Sequence, residues 1–327
     1  MAEKVKKKAV RKKADAVKTV QTDEAELKAA EEAVLDENDK LTTAQLVIEM
    51  VRKVVFCAAL GAFAYAATGL AIYGWDYYSI QREYEQVEKE GGVVISTETK
   101  PVNQNTGESE PEETVTDAQG EVIVINPVNK ETVPKIQFSV DEEYFKSVNS
   151  DYVCYLYIPG SNNDTTIKYP VVLGEDNEHY LRYTYRNTES MAGSICFDYR
   201  TNREDPLGSF SSVIWGHDRK DGSMFGALLN YKNEEYFREY PYVYIYMGGN
   251  IYVYEMFSFC QHPANGYIFS PYASYDMVME TINSLNWYDT NVEVTEEDRL
   301  LTLYTCTEDA TERYIVNAIL RDVYAAN

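Results

Sequence analysis

The chain has 327 residues, with 30 Lys and Arg against 53 Asp and Glu, a formal net charge of -23. This length allows one or two domains. The negative charge argues against nucleic acid and against an anionic membrane surface as partners, because both attract basic patches.

Residues 1–53 form a charged head with 12 basic and 11 acidic residues, so nearly all of the negative charge lies further along the chain. An uncharged run of 22 residues follows at 54–75, VVFCAALGAFAYAATGLAIYGW. About 20 apolar residues cross a bilayer as a helix. Arg52 and Lys53 before the run and Trp75 at its end match a basic inner flank and an aromatic outer belt. The pattern predicts a cytoplasmic tail at 1–53, one transmembrane signal anchor at 54–75, and an extracytoplasmic remainder.

Two other interpretations of the apolar run are weaker. Ala62-Phe63-Ala64 fits the small-x-small pattern of a cleaved signal peptide, but such a signal is normally about 15–30 residues in all, and this run begins beyond residue 50. A buried helix of a soluble domain is disfavoured because the run has no polar face.

Residues 76–133 are predicted to be an extracytoplasmic stalk or linker. The first part, to about Glu90, continues the helix. The rest is rich in Gly, Pro, Thr, Glu and Asn, a composition that cannot bury a core and is typical of flexible segments.

A folded domain is predicted from residue 134 to 327. A short helix is expected near Tyr144, and helical patches lie at 223–229, 234–238 and 274–287. Runs of β-branched and aromatic residues bounded by turn residues predict eight strands, at 152–158, 169–173, 194–198, 211–215, 242–247, 251–259, 300–305 and 314–323. Short strands with few helices predict a mostly β domain, a barrel or a sandwich.

The cysteines number five, and none forms a CxxC pair or a Cys/His metal spacing, so no metal site is expected. They are Cys57, Cys154, Cys196, Cys260 and Cys306. Cys57 lies in the apolar run. For the next three, each inside a strand-like run, a buried structural thiol is the default interpretation, and a disulfide among them stays open.

Cys306 ends the strand-like run TLYTC and precedes the polar turn TEDATER. From this pattern it is core filler, half of a disulfide, a metal ligand or a nucleophile. Strand ends that meet loops are where a scaffold presents reactive groups. Arg313 follows seven residues later, and a nearby cation favours the thiolate. The competing interpretation of Arg313 is a solvated charge near the acidic residues of the turn.

The three histidines narrow the choice of an acid or base. His217 lies in VIWGHDRKDGSMFG, where an apolar strand runs through Gly216 into a polar loop. His179 and His262 lie in a charged segment and beside a proline, where surface and loop roles are expected. His217 is therefore the strongest candidate for general acid–base work.

These residues carry a resemblance to the sortase transpeptidases. The order of His217, Cys306 and Arg313 and the preceding anchor agree with that family. Segments that resemble class B sortases are NSDYVCYLYIPG, AGSICFDYR, the histidine region WGHDRKDGSMFGALLNY and the helix-containing insert before the cysteine strand. Together they cover about residues 135–325. The resemblance implies an eight-stranded sortase-type β-barrel preceded by a single transmembrane helix.

The resemblance also implies a mechanism. Cys306 is the nucleophile that attacks a Thr carbonyl in a C-terminal sorting signal of a surface protein, and His217 is the general acid and base. Arg313 stabilises the oxyanion or the substrate. The acceptor is a cell-wall precursor amine or a pilin Lys, and no metal or organic cofactor is implied.

Two positions depart from the class B pattern. Tyr304 stands where Ser is often found, and Thr201 stands where Asn is common. With Thr305 they are the predicted substrate-binding residues. Two other functions stay open from the residues: a surface cysteine peptidase and an anchored, non-catalytic binding module.

Overall fold

The computed structural model describes residues 2–96, 133–264, 270–306 and 311–326, and for 2–23, 35–42 and 306 it describes the backbone alone. The helices are α1 Ala2–Glu90, α2 Glu142–Val148, α3 Glu234–Glu239 and α4 Tyr275–Leu285. The strands are β1 Val94–Ser96, β2 Gln137–Ser139, β3 Tyr152–Ile158, β4 Ile167–Val172, β5 Ile195–Phe197, β6 Ser211–Gly216, β7 Tyr242–Met247, β8 Asn250–Pro263, β9 Leu300–Cys306 and β10 Glu312–Ala325. Three short 3₁₀ turns are Asn163–Thr165, His179–Leu181 and Gly226–Lys232.

Helix α1 is continuous through the predicted tail and anchor. Among the described residues, one helix, at Thr43–Glu90, is long and apolar enough to cross a membrane by length and composition. The chain divides into two compact units, Met1–Trp75 and Asp76–Asn327. The boundary falls where the predicted anchor ends.

The end of α1 belongs to the second unit and packs on its core. Ile80, Tyr84 and Val87 are buried there, at the three- and four-residue spacing that puts side chains on one helix face. Residues 76–90 of the predicted stalk are therefore part of the folded unit. Most of the rest of that predicted stalk, residues 97–132, lies outside the described residues.

Eight strands close into a barrel in the order β10-β8-β7-β3-β4-β5-β6-β9. The predicted eight-stranded barrel is confirmed. Two neighbouring pairs are parallel, β4 with β5 and β6 with β9, and the other pairs are antiparallel. Strands β1 and β2 form a separate two-stranded sheet.

Strand β9 is buried on both faces. Leu301 and Leu303 belong to the main core of the barrel, whereas Leu300 and Tyr304 join a second cluster that includes Val278 of α4. Successive strand residues point to opposite faces, so the alternation assigns one face to each cluster. The strand that ends at Cys306 is thus held from two sides.

The predicted helices are present with shifted bounds. Asp141 caps α2, since its side chain accepts the Tyr144 amide, and Ser274 caps α4 by accepting from Met277. The predicted patch at 223–229 is a 3₁₀ turn at Gly226–Lys232. Asn233 caps the helix that follows, α3, and so ends that turn.

Gly193 lies where two segments approach closely. Its φ is +59°, and an added Cβ would lie 2.4 Å from the Tyr180 carbonyl oxygen. We expect Gly193→Ala to lower the free energy of unfolding for two reasons. The left-handed backbone costs about 1–2 kcal/mol for a residue with a Cβ, and overpacking against Tyr180 costs about 1–3 kcal/mol more. Thermal unfolding of the full chain in detergent micelles measures the loss.

Gly222 is the matched control. Its φ is +81°, but an added Cβ would meet only the Asp164 carbonyl oxygen, at 3.4 Å. Gly222→Ala should therefore show the backbone penalty alone and keep a Tm several degrees above that of Gly193→Ala, since about 2–4 °C corresponds to 1 kcal/mol at this size. Equal Tm values for the two variants would contradict the close approach at Gly193.

Candidate functional site

Cys306 and Arg313 lie opposite each other on neighbouring strands. Strands β9 and β10 are antiparallel, and their register pairs Cys306 with Arg313 and Thr305 with Tyr314. Opposed residues of an antiparallel pair have Cα atoms about 4.5–5.5 Å apart. The antiparallel pairing thus puts Arg313 beside the cysteine.

On its other side, β9 pairs with β6, the strand that leads into His217. Strands β6 and β9 run parallel, and the last pair of their ladder is Gly216 with Thr305. His217 directly follows the end of β6, and Cys306 is the last residue of β9. The end of β9 that carries Cys306 is therefore the end at which β6 leads into His217 and at which Arg313 of β10 pairs with Cys306.

The His217 imidazole is oriented by a backbone carbonyl. Its Nε2 lies 2.8 Å from the carbonyl oxygen of Leu181. A carbonyl only accepts, so Nε2 carries a proton and donates it. The ring is half-buried, and in the neutral imidazole Nδ1 is then the nitrogen without a proton.

The backbone at His217 is also held. The Phe225 amide donates to the His217 carbonyl at 2.9 Å, and Asp218 forms an isolated antiparallel bridge with Met224. These contacts close the segment after β6 into a short turn. His217 therefore sits at the base of a closed loop, with both its ring and its carbonyl fixed.

Arg313 lies between two strands. Its Nη1 donates to the Glu312 carbonyl at 2.9 Å, and on the β8 side it pairs in register with His262. His262 was expected in a loop but lies within β8, because that strand continues to Pro263 opposite Glu312. Its ring is buried and donates from Nδ1 to the Pro263 carbonyl at 2.9 Å.

The three other cysteines of the second unit are poor nucleophiles. Cys154, Cys196 and Cys260 have free, buried thiols. Burial raises the pKa of Cys196 and of Cys260 to about 12, and it also raises the pKa of Cys154. Thiolates are the reactive form of cysteine, so these thiols stay protonated and unreactive at neutral pH.

Tyr304 and Thr305 precede Cys306 in β9 and are both buried. The ring centroids of Tyr304 and Trp215 lie 4.4 Å apart, and the two residues are paired in register on β9 and β6. Thr305 is 1% exposed, and its Oγ1 has no hydrogen-bond partner among the described residues. Leaving a buried hydroxyl without a hydrogen bond costs free energy. The Thr305 hydroxyl, one residue before Cys306, is therefore a candidate to bind a group that the structure does not contain.

Thr201 lies in a segment that follows β5 and leads away from His217. Strand β5 is antiparallel to β6 and pairs Cys196 with Trp215 and then Phe197 with Ile214, so the chain moves away from the His217 end of β6 as it approaches Thr201. The Thr201 amide donates to the Asp198 carbonyl at 2.9 Å. Burial acts to raise the pKa of Asp198, but hydrogen bonds from Arg200 outweigh it, so this pKa is lowered and the turn holds a buried carboxylate.

The carbonyl of Leu181 has no signal in the sequence, because every residue carries such an acceptor. His179, in the same 3₁₀ turn, stacks on Tyr183 at 4.4 Å between ring centroids and bonds to Asn187 through Nε2 at 2.8 Å. His179 thus stabilises its own loop, whose backbone in turn orients His217.

The comparisons with known proteins agree with this geometry. The sortase domain family model matches residues 156–321. Sortase B of Listeria monocytogenes is 32% identical over 165 residues, which span 49% of this chain and 65% of that protein, slightly under two thirds. Sortase B of Staphylococcus aureus is 24% identical over 183 residues, spanning 54% of this chain and 72% of that protein.

A solved structure shows the same likeness. The X-ray structure of Clostridium perfringens sortase B has 30% sequence identity and a TM-score of 0.51, and the match covers 55% of this chain and 100% of that one. The predicted resemblance to class B sortases is confirmed. Because the matched family model takes in half of the chain, including His217, Cys306 and Arg313, this chain belongs to the sortase family.

Proposed function

We propose that this chain is a membrane-anchored cysteine transpeptidase that cleaves the C-terminal sorting signal of surface proteins at a Thr carbonyl and joins the new end to an amine. The observation that supports this proposal is the strand register, which pairs Arg313 with Cys306 and ends the β6–β9 ladder at Gly216 and Thr305, one residue before His217 and Cys306. Membership of the sortase family supports the same reaction class.

In the first step the Cys306 thiolate attacks the Thr carbonyl carbon of the sorting signal. A C–S bond forms, the carbonyl becomes an oxyanion, and the C–N bond then breaks. The leaving amine takes a proton from His217, which acts as general acid. The product is a thioester between Cys306 and the new C-terminus of the surface protein.

In the second step an amine attacks the thioester. His217 accepts the proton of the incoming amine, an amide bond forms, and the Cys306 thiolate leaves. A primary amine of a cell-wall precursor or a pilin Lys is the proposed acceptor. The two steps exchange one amide bond for another and restore the enzyme.

Arg313 is proposed to stabilise charge in both steps. Its permanent positive charge favours the Cys306 thiolate and faces the oxyanion that develops at the carbonyl. The guanidinium presents several donors in a rigid fork, whereas a Lys ammonium is a compact point charge.

Tyr304, Thr305 and Thr201 remain proposed substrate-binding residues. Tyr304 is 2% exposed, so its effect is exerted through the packed ring pair with Trp215. The Thr305 hydroxyl, unpaired among the described residues, is available to orient the thiol or the substrate. Thr201 is proposed to contact a different part of the substrate from Thr305.

The proposed topology follows from the apolar helix. Residues 1–53 form a cytoplasmic tail, 54–75 anchor the chain in the bilayer, and the domain from 134 to 327 acts outside the membrane. One helix of sufficient length and hydropathy supports this arrangement, and the acidic body argues against a nucleic-acid partner.

We expect a membrane-impermeant maleimide to label one thiol of the full chain in proteoliposomes, that of Cys306. Cys154, Cys196 and Cys260 are buried, and Cys57 lies within the predicted anchor. Cys306→Ala should abolish labelling and also acyl-enzyme capture from a Thr-containing peptide, with an unchanged Tm. Mass spectrometry locates the label. A Cys306 thiol that reacts only after unfolding would support the non-catalytic binding module instead.

A peptide library offered with an amine acceptor should yield peptide–amine adducts in a manner that depends on Cys306. The thioester is resolved by the amine in a transpeptidase and by water in a peptidase. Liquid chromatography with mass spectrometry separates the two products. Hydrolysis alone with every acceptor would favour the surface peptidase.

Arg313→Lys should lower kcat/KM by about 100-fold, because loss of an oxyanion-stabilising donor typically costs that much. The matched control is Arg321→Lys in the same strand, where the Arg321 side chain pairs with Glu255 at 2.6 Å. The control should stay within about twofold of the unmodified chain. Full activity in Arg313→Lys would remove Arg313 from the proposed mechanism.

A further inference from the structure

Asp76 bridges two loops of the domain from the first turn of the packed helix segment. Its Oδ1 accepts a hydrogen bond from the Ser190 hydroxyl at 3.0 Å. Its Oδ2 lies 3.4 Å from Nη1 of Arg219. The Arg219 side chain is 9% exposed and that of Asp76 is 19% exposed, so both charges are largely removed from water.

Arg219 belongs to the closed turn that begins at His217. It lies two residues after the histidine and also pairs with Asp221 in the same turn, at 2.9 Å. The Phe225 amide closes this turn onto the His217 carbonyl. A change in the position of Arg219 is therefore passed to His217 through only two residues of constrained backbone.

The same helix reaches the His217 ring by a second route. The Tyr84 hydroxyl donates to the Gly193 carbonyl at 3.1 Å, and the Ser194 amide donates to the Tyr180 carbonyl at 2.8 Å. The neighbouring Leu181 carbonyl is the acceptor for His217 Nε2. The helix is thus connected, through Gly193 and Ser194, to the segment whose Leu181 carbonyl orients the imidazole.

A third contact joins the helix to the far end of the turn. The Tyr84 ring packs edge-on against Tyr169, with centroids 5.0 Å apart. The Tyr169 hydroxyl accepts a hydrogen bond from the Met224 amide at 3.0 Å. The start and the end of the turn after β6 are thus both connected to residues 76–84 of α1.

We propose that Asp76 is a positioning residue for His217, and that the helix segment Asp76–Glu90 is part of the catalytic apparatus rather than a passive spacer. This inference rests on the proposed function, in which His217 transfers a proton to the leaving amine. Proton transfer requires the ring within hydrogen-bond reach of the reacting group, and a misplacement of about 1 Å costs about 100-fold in rate.

The test compares Asp76→Asn with Glu88→Gln in the full chain in nanodiscs. Glu88 lies on the same helix and makes an ion pair with Lys168 at 2.9 Å, but neither residue contacts the turn at His217 in the described contacts. Both substitutions remove one helix-to-barrel ion pair and keep the side-chain shape. Steady-state peptide-to-amine transfer gives kcat and KM for each variant.

We expect Asp76→Asn to lower kcat by about 10-fold to 100-fold with KM within twofold of the unmodified chain, and Glu88→Gln to change neither. Asp76→Glu should recover part of kcat. Equal losses of kcat in Asp76→Asn and Glu88→Gln would overturn the proposal, because they would report loose docking of the whole helix. A change confined to KM would also overturn it.

An activity-independent measurement separates this inference from the proposed function. With ¹³C-labelled histidine, the ring signal of His217 should shift in Asp76→Asn and that of His262 should not. If the unmodified chain forms no amide product, the proposed function fails, whereas an unshifted His217 signal defeats the positioning role of Asp76 alone.

Discussion

The site depends on the parallel pairing of β6 with β9. This ladder ends at Gly216 and Thr305, the residues that precede His217 and Cys306, and the antiparallel pairing of β9 with β10 puts Arg313 opposite Cys306. Strand pairs have a two-residue period, so a slip of one position would turn every side chain to the other face. Burial of β9 on both faces, by the barrel core and by the α4 cluster, makes such a slip costly. The chemistry is thus positioned by packing several residues before the reactive end.

Backbone contacts around His217 fix the orientation of its ring, which strand pairing alone does not determine. Strands place the Cα atoms, but an imidazole needs a defined ring orientation and a defined proton position to act. The Leu181 carbonyl supplies both, since it accepts a hydrogen bond from Nε2 of His217 at 2.8 Å. The loop at residues 190–193 is held by hydrogen bonds to α1, from the Tyr84 hydroxyl to the Gly193 carbonyl and from the Ser190 hydroxyl to Asp76. These bonds fix the position of the loop relative to the barrel.

The eight barrel strands were predictable from the sequence, but the strand partners were not, and neither were the short strands β1, within the predicted stalk, and β2. The eight runs of Val, Ile, Tyr and Phe alternate and end in turn residues, and all eight are strands. A hydrophobic pattern does not state which distant strand lies alongside, so the neighbourhood of β6 and β9 entered only through the resemblance to a family. The packing of α1 had a readable signal in the spacing of Ile80, Tyr84 and Val87, which the charged residues between them obscured. The Leu181 acceptor had none, because backbone carbonyls are common to all residues.

The three buried thiols show that the folded domain does not need a disulfide among them. Small extracellular domains commonly rely on disulfides for stability, yet Cys154, Cys196 and Cys260 are unpaired. The closed barrel has no open strand edge, and its strands are paired without a cross-link among these three cysteines. With raised pKa values these thiols resist oxidation as well as alkylation. The barrel therefore holds together without a cross-link among these three cysteines, and their redox state places no requirement on its folding.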